Sequence, residues 1–191
     1  MKAYIETEYD KLIHSAEAMK SLAAKVAEVA DMCISALSHG GKIIFCGNGG
    51  SASQSQHLAA ELVGRYKLNR PAMNALSLTV DTSNLTAIAN DYGYDTVYAR
   101  QLEGVGKSGD VLIGLSTSGD SRNVVLAFEK AAQMGISTIA LVGSRGGQMA
   151  ALADRALAVP ADTSAHIQEL HLATGHLICD LIEKHFYADA E

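Results

Sequence analysis

The sequence predicts an α/β fold in one domain: a five-stranded, mostly parallel sheet flanked by helices, preceded by a helical segment over residues 1–39. Three observations predict it. Short aliphatic, β-branched or aromatic runs recur along the chain, and each is closed by glycine, proline or hydroxyl residues, as buried strands are. Segments of helical apolar periodicity separate these runs, which implies parallel neighbours joined by right-handed crossovers, with helices on both faces. Finally, 191 residues with 48% apolar content can bury one full core. No internal repeat, low-complexity tract or linker divides the chain, so the domain is expected to span residues 1–191.

Residues 1–38 contain no glycine or proline, and apolar positions recur at helical spacing (Ile5, Leu12, Ile13, Ala16, Met19, then Val26, Val29, Met32, Cys33, Leu37). This reads as one long helix or two, stopped by His39-Gly40-Gly41. Lys42 to Cys46 is a buried strand and Met73 to Leu78 a second, after the breaker Leu68-Asn69-Arg70-Pro71. Thr82 to Ala89 is a short helix with Thr82 or Ser83 near its start, and Asn90-Asp91-Tyr92-Gly93 a polar turn. Helical periodicity returns from Tyr94 to Val105. A βαβ unit follows: strand Val111 to Leu115, hydroxyl-rich loop Ser116 to Ser121, helix Asn123 to Met134, strand Ser137 to Val142. Gly146-Gly147 opens a short helix to about Ala153, Ala156 to Val159 is the last strand, and Thr163 to His185 a long closing helix.

The net charge of −6 and the lack of any Lys/Arg-rich run exclude a nucleic-acid groove, which needs a basic stripe for the phosphates. A small anion held by backbone groups remains compatible. Cys33, Cys46 and Cys179 lie far apart in apolar surroundings and read as reduced core thiols. No apolar run approaches about 18 residues and no signal peptide opens the chain, so a soluble cytoplasmic protein is expected, with no membrane partner.

Two loops carry the chemistry. Gly47-Asn48-Gly49-Gly50-Ser51 closes the first strand, and its glycines can adopt positive φ and turn N–H groups toward an anion or a sugar hydroxyl. Ser51 is placed to cap the helix that follows. On that helix His57 and Glu61 are four apart, so they stack on one face about 6 Å from each other, within reach of a shared metal or proton; Gln54 falls on the same face. The plainer alternative pairs Glu61 with Arg65 and leaves His57 as an ordinary helix histidine. Ser116, Thr117, Ser118 and Ser121 surround a glycine between a strand and a helix start, which suits a phosphate, although a serine-rich capping turn has the same composition. Neither loop fits a nucleotide template, for there is no Gly-x-x-x-x-Gly-Lys run and Ala52 stands where the third dinucleotide glycine belongs. With the flavodoxin-like strand order 2-1-3-4-5, both loops face one crevice at the switch point.

Leu115-Ser116-Thr117-Ser118-Gly119 in its strand-loop-helix frame resembles the sugar isomerase (SIS) domain family. Gly47 to Ser51, the His57/Glu61 pair, Asn90-Asp91-Tyr92-Gly93 and Ile167-Gln168-Glu169-Leu170-His171 followed by His176 together resemble the sedoheptulose 7-phosphate (phosphoheptose) isomerases within it, over about residues 40 to 185. The resemblance implies conversion of sedoheptulose 7-phosphate to D-glycero-D-manno-heptose 7-phosphate, the first step toward nucleotide-activated heptose for lipopolysaccharide or capsule. It implies zinc, one per subunit, held by His57, Glu61, Gln168 and His176. It implies substrate contacts from Asn48, Gly49, Gly50, Ser51, Glu61, Asn90, Asp91, Ser116, Thr117, Ser118, Ser121 and Gln168, and a homotetramer. Two positions depart from the family pattern: Gln54 replaces a common Asp, and an amide cannot act as a base; His166 replaces a usual Arg or Lys.

Aldose–ketose isomerisation moves a proton between C1 and C2 through an enediol, so it needs a base, an acid and stabilised oxygens. Glu61 and His176 are the catalytic acid–base candidates. Two other SIS roles remain open, a non-catalytic tetramer that binds the replication initiator and a phosphosugar-sensing regulator. The first class loses the residues matching Glu61 and His176, which this chain keeps; the second usually adds a DNA-binding domain, for which the first 40 residues offer no basic recognition helix. Gln168 and His176 are eight apart on one predicted helix, about 12 Å along its axis, so if both bind one metal they come from different chains and the sites are shared between subunits.

Overall fold

A computed structural model describes residues 1–188. The N-terminal stretch forms two helices, α1 (Lys2–Ala18) and α2 (Ala23–Ser38), joined by the 3-10 turn Met19–Leu22. The sheet comprises β1 (Ile43–Gly47), β2 (Ala75–Ser77), β3 (Val111–Ser116), β4 (Ser137–Gly143) and β5 (Arg155–Val159), all parallel in the order β2-β1-β3-β4-β5. This is the expected order. After β1 the chain runs outward to edge strand β2 and then returns to the other side of β1 as β3, with Gly47 in register with Leu115. The carboxyl ends of β1 and β3 therefore adjoin, at the switch point where ligands of such folds bind.

Strand side chains alternate between two apolar layers. Phe45, Ile113 and Leu141 face α2, α3 (Gly50–Val63) and α8 (Ser164–Tyr187), packing with Cys33, Leu58 and Ile178. Ile44, Leu112 and Ala140 face the other layer, where α4 (Thr82–Tyr92), α5 (Val97–Val105), α6 (Arg122–Gln133) and α7 (Gly147–Leu152) supply residues such as Tyr98, Val124, Phe128 and Met149. Burial on both faces explains why the central strands read as continuous apolar runs. The three cysteines are free and buried, and desolvation pushes the Cys46 and Cys179 thiols up to about 12. Among the described residues no helix is long and apolar enough to cross a membrane.

Three local expectations are corrected. The first concerns β2, which keeps only Ala75–Ser77 of the expected Met73 to Leu78, because it is an edge strand paired on one side alone. Next, α4 is capped by Asp81, whose carboxylate accepts the Asn84 N–H at 3.0 Å, rather than by Thr82 or Ser83. Lastly, Asn90, Asp91 and Tyr92 are not a turn but the last turn of α4, which Gly93 ends at φ 89°.

Candidate active site

The first loop is built by close approach more than by unusual backbone. Of its glycines only Gly49 has positive φ (54°), and it leads directly into α3. A Cβ on Gly47 would lie 2.9 Å from the Leu115 carbonyl oxygen, and one on Gly50 would lie 2.7 Å from the Gln168 side-chain amide. Ser51 does not cap α3; it sits inside the first turn, buried, and its carbonyl accepts the Ser55 hydroxyl at 2.8 Å. Asn48 exchanges hydrogen bonds with Asn123 at the start of α6, at 2.9 and 2.8 Å, and accepts the Tyr94 hydroxyl at 3.0 Å. The Tyr98 hydroxyl donates to the Gly47 carbonyl. Asn123, Tyr94 and Tyr98 therefore hold the loop in place. The sequence alone did not single out these three, although Asn123 stands two residues after the hydroxyl loop and Tyr94 directly follows Gly93.

The second loop closes on itself as a cradle of hydroxyls. Ser116 Oγ lies 2.8 Å from Ser121 Oγ and 3.4 Å from Ser118 Oγ, and Thr117 Oγ1 reaches Ser164 at the start of α8 at 3.4 Å. The N–H groups of Gly119 and Asp120 donate to Ser116 and Ser118. The segment around α7 braces the loop from behind: Met149 N–H donates to the Gly119 carbonyl, and Asp120 accepts the Gln148 N–H, both at 2.9 Å. Hydroxyls fixed in this way can turn toward a phosphate without a cation.

The third part is a cluster of titratable groups where α3 meets α8. Because Gly175 has no side chain, Leu58 packs where its Cβ would stand, which brings the neighbouring His57 and His176 together. Their Nε2 atoms are 2.9 Å apart, His57 Nε2 is 3.2 Å from Glu61 Oε1, and the ligand atoms of all three residues lie within 4.8 Å of one another. Glu61 pairs with His57, not with Arg65. The Tyr66 ring stacks on His176, with centroids 5.7 Å apart. Burial, then the neighbouring His57, hold the His176 imidazole below its ordinary pKa, with Glu61 opposing them. The arrangement suits a divalent cation: a tetrahedral site with bonds near 2.0 Å spaces its donor atoms about 3.3 Å apart, and two imidazoles with one carboxylate are zinc-type donors.

Gln168 is not in this cluster. Its side chain lies over Gly50, and its carbonyl accepts the Gln54 amide at 2.6 Å. Along α3, Gly50 and His57 are about 10 Å apart, so within one chain Gln168 belongs to the first loop and His176 to the cluster. Gln54 Oε1 is buried with no hydrogen-bond partner among the described residues. Asn90 and Asp91 are exposed and hydrogen-bonded to each other at 2.8 Å, with no hydrogen bond to the crevice among the described residues. His166 lines a groove of about 220 Å³ with Tyr4, Glu8 and Glu169.

Together these features define a doubly wound, parallel α/β domain whose β1 and β3 loops adjoin at the switch point, with a hydroxyl-lined loop after β3 and a His–Glu–His cluster between α3 and α8. The SIS domain family model matches residues 8–143. A phosphoheptose isomerase from Akkermansia muciniphila is 58% identical over 187 residues, 98% of this chain and 99% of that protein. The solved structure of a phosphoheptose isomerase from Neisseria gonorrhoeae superimposes with a TM-score of 0.90 at 41% identity, covering 96% of this chain and 98% of that one. One from Francisella tularensis gives 0.88 at 35% identity, covering 96% of each chain. The chain belongs to the phosphoheptose isomerases of the SIS domain family.

Proposed function

We propose that the protein converts sedoheptulose 7-phosphate to D-glycero-D-manno-heptose 7-phosphate in the cytoplasm, with one zinc ion per subunit. The observation that carries this reading is the convergence of Glu61 with two imidazoles, in a chain of this family that also carries a braced hydroxyl cradle. The presence of both Glu61 and His176 in one cluster also counts against a non-catalytic role.

In this reading Ser116, Thr117, Ser118 and Ser121 hold the phosphate, and Asn48, Gly49, Gly50 and Ser51 face the sugar hydroxyls, with Asn90 and Asp91 reaching in from the end of α4. Binding the remote phosphate orients C1 and C2 at the cluster, so binding energy is used for positioning. His57, Glu61 and His176 would hold the cation, which when bound polarises the substrate carbonyl and favours charge on its oxygen. Glu61 takes the C1 proton of the ketose and returns it to C2 of the enediol. His176, whose imidazole burial and the neighbouring His57 hold below its ordinary pKa, is the candidate that exchanges the proton between the two oxygens.

Assembly into a homotetramer belongs to the same proposal. Ile5, Tyr9 and Ile13 of α1 and Leu177 and Leu181 of α8 are exposed, and an apolar groove of about 540 Å³ runs between Met19, Val26 and Leu177. Such surfaces mark association. Gln168 of a second subunit then becomes available as a fourth ligand.

The direct test is incubation of the zinc-loaded protein with sedoheptulose 7-phosphate, followed by NMR. Appearance of the aldoheptose phosphate is expected, and its absence overturns the reading. Glu61→Gln should keep the fold and bind the sugar phosphate while turnover falls by about 100- to 10,000-fold; turnover at the wild-type rate would remove Glu61 from the chemistry.

A further inference from the structure

Behind the cluster lies a buried ion pair that neither loop uses. Glu183, on α8, and Arg70, in the segment after α3, meet at 2.9 Å, and each side chain is 1% exposed. Glu183 also accepts three consecutive backbone N–H groups, from Tyr66 at 3.0 Å, Lys67 at 2.7 Å and Leu68 at 2.8 Å. Arg70 turns its other nitrogens onto the end of α3: Nη2 donates to the Glu61 carbonyl at 2.8 Å and Nη1 to the Leu62 carbonyl at 2.7 Å. These carbonyls belong to the last turn, where a helix has no internal donors for them.

The placement of the pair relates it to the chemistry. Glu183 follows His176 by seven residues, two turns along the same face of α8 and about 10 Å away. Arg70 grips the backbone of Glu61 itself. Tyr66, whose N–H is held by Glu183, lays its ring on His176. One ion pair thus touches the supports of both elements that form the cluster, the end of α3 under Glu61 and the stacking platform against His176.

We infer that Arg70 and Glu183 are positioning residues for the His57–Glu61–His176 cluster, setting its geometry for a divalent cation and for proton transfer through the Glu61 backbone and the Tyr66 ring. This inference rests on the proposed reading of the cluster as the metal and acid–base site. It differs from a stability role in what it requires. A buried ion pair can often be replaced by apolar side chains of similar volume without loss of stability, whereas a positioning pair cannot be so replaced without loss of the site.

Two variants test this. Arg70→Lys keeps a charge against Glu183 but loses the fork that reaches two carbonyls at once; the double variant Arg70→Met/Glu183→Leu removes both charges. The readouts are circular dichroism and thermal melting for the fold, calorimetric titration of the metal-free full-length protein with Zn²⁺, and steady-state kinetics. Both variants should remain folded, bind Zn²⁺ about 10- to 100-fold more weakly, and lose kcat by a similar factor. KM for the sugar phosphate should stay within about twofold, because the phosphate cradle is untouched. Folded variants with wild-type Zn²⁺ affinity overturn the inference, and so does misfolding of both, which would make the pair a structural one. His57→Ala separates the two levels. If it keeps wild-type Zn²⁺ affinity, the reading of the cluster fails; if it loses Zn²⁺ while both pair variants keep it, only the positioning role fails.

Discussion

His171 is fully buried on α8, and neither of its ring nitrogens has a hydrogen-bond partner among the described residues. Burial pushes its imidazole from the ordinary 6.5 down to about 4, with the nearby Val142 backbone opposing the shift. The unfolded chain thus takes up a proton near pH 6.5 that the folded chain refuses until about pH 4. Stability is full above pH 6.5 and falls as pH drops toward 4, by a total on the order of 3 kcal/mol. Glu183 acts in the same direction at lower pH. Its burial works to raise its pKa, but the Leu68, Lys67 and Tyr66 N–H groups and Arg70 together hold it below 4.5. His171→Leu should therefore flatten the loss of stability between pH 6.5 and 4 and leave the fall due to Glu183 at lower pH in place. Chemical denaturation of both proteins across this range would measure it, and equal slopes would show that the imidazole is not the group responsible.

Elements with local signatures were legible in the sequence, and those defined by distant partners were not. The β1–loop–α3 and β3–loop–α6 units read correctly because glycine and serine clusters directly follow apolar runs. The end of α4 misread because Asn90-Asp91 has turn composition, whereas the helix runs on through Tyr92 and is ended only by Gly93. Arg70 read as part of a loop breaker because its partner stands 113 residues away, a distance that no periodicity reports. The same limit hid the Asn48–Asn123 pair. The serine loop supports a prediction at this scale. Ser118 accepts the exposed Asp120 N–H, which water can serve in its place, and the Ser121 hydroxyl bonds only the Ser116 hydroxyl among the described residues, so replacing Ser118 and Ser121 with Ala should leave the fold intact while raising KM for the phosphorylated sugar and weakening inhibition by inorganic phosphate. Each lost hydrogen bond to a charged phosphate is worth about 1.5–3 kcal/mol, so together they should raise KM by about 100-fold or more. Phosphate inhibition unchanged in the double variant would place the phosphate elsewhere.

At the scale of the whole molecule, the positions of Gln168 and His176 restrict how a complete site can form. On one copy of α8 they are eight residues apart, with Gln168 over Gly50 and His176 against His57, so the same chain cannot bring both to one cation. If Gln168 completes the donor set, a neighbouring subunit supplies it, and metal binding is then tied to assembly. The exposed apolar residues of α1 and α8, and the groove between α8 and the Met19–Val26 stretch, suit contact through these helices. A closed dihedral tetramer would repeat such a composite site in every subunit. Mixing Gln168→Ala with His176→Ala under conditions that exchange subunits tests this, since each variant is expected to be inactive alone. Random exchange at equal amounts should give about a quarter of the sites both native side chains and restore activity in that proportion. No recovery after exchange has been verified by mass spectrometry would place every needed residue in one chain, and Gln168 would then act only at the first loop, where it packs against Gly50.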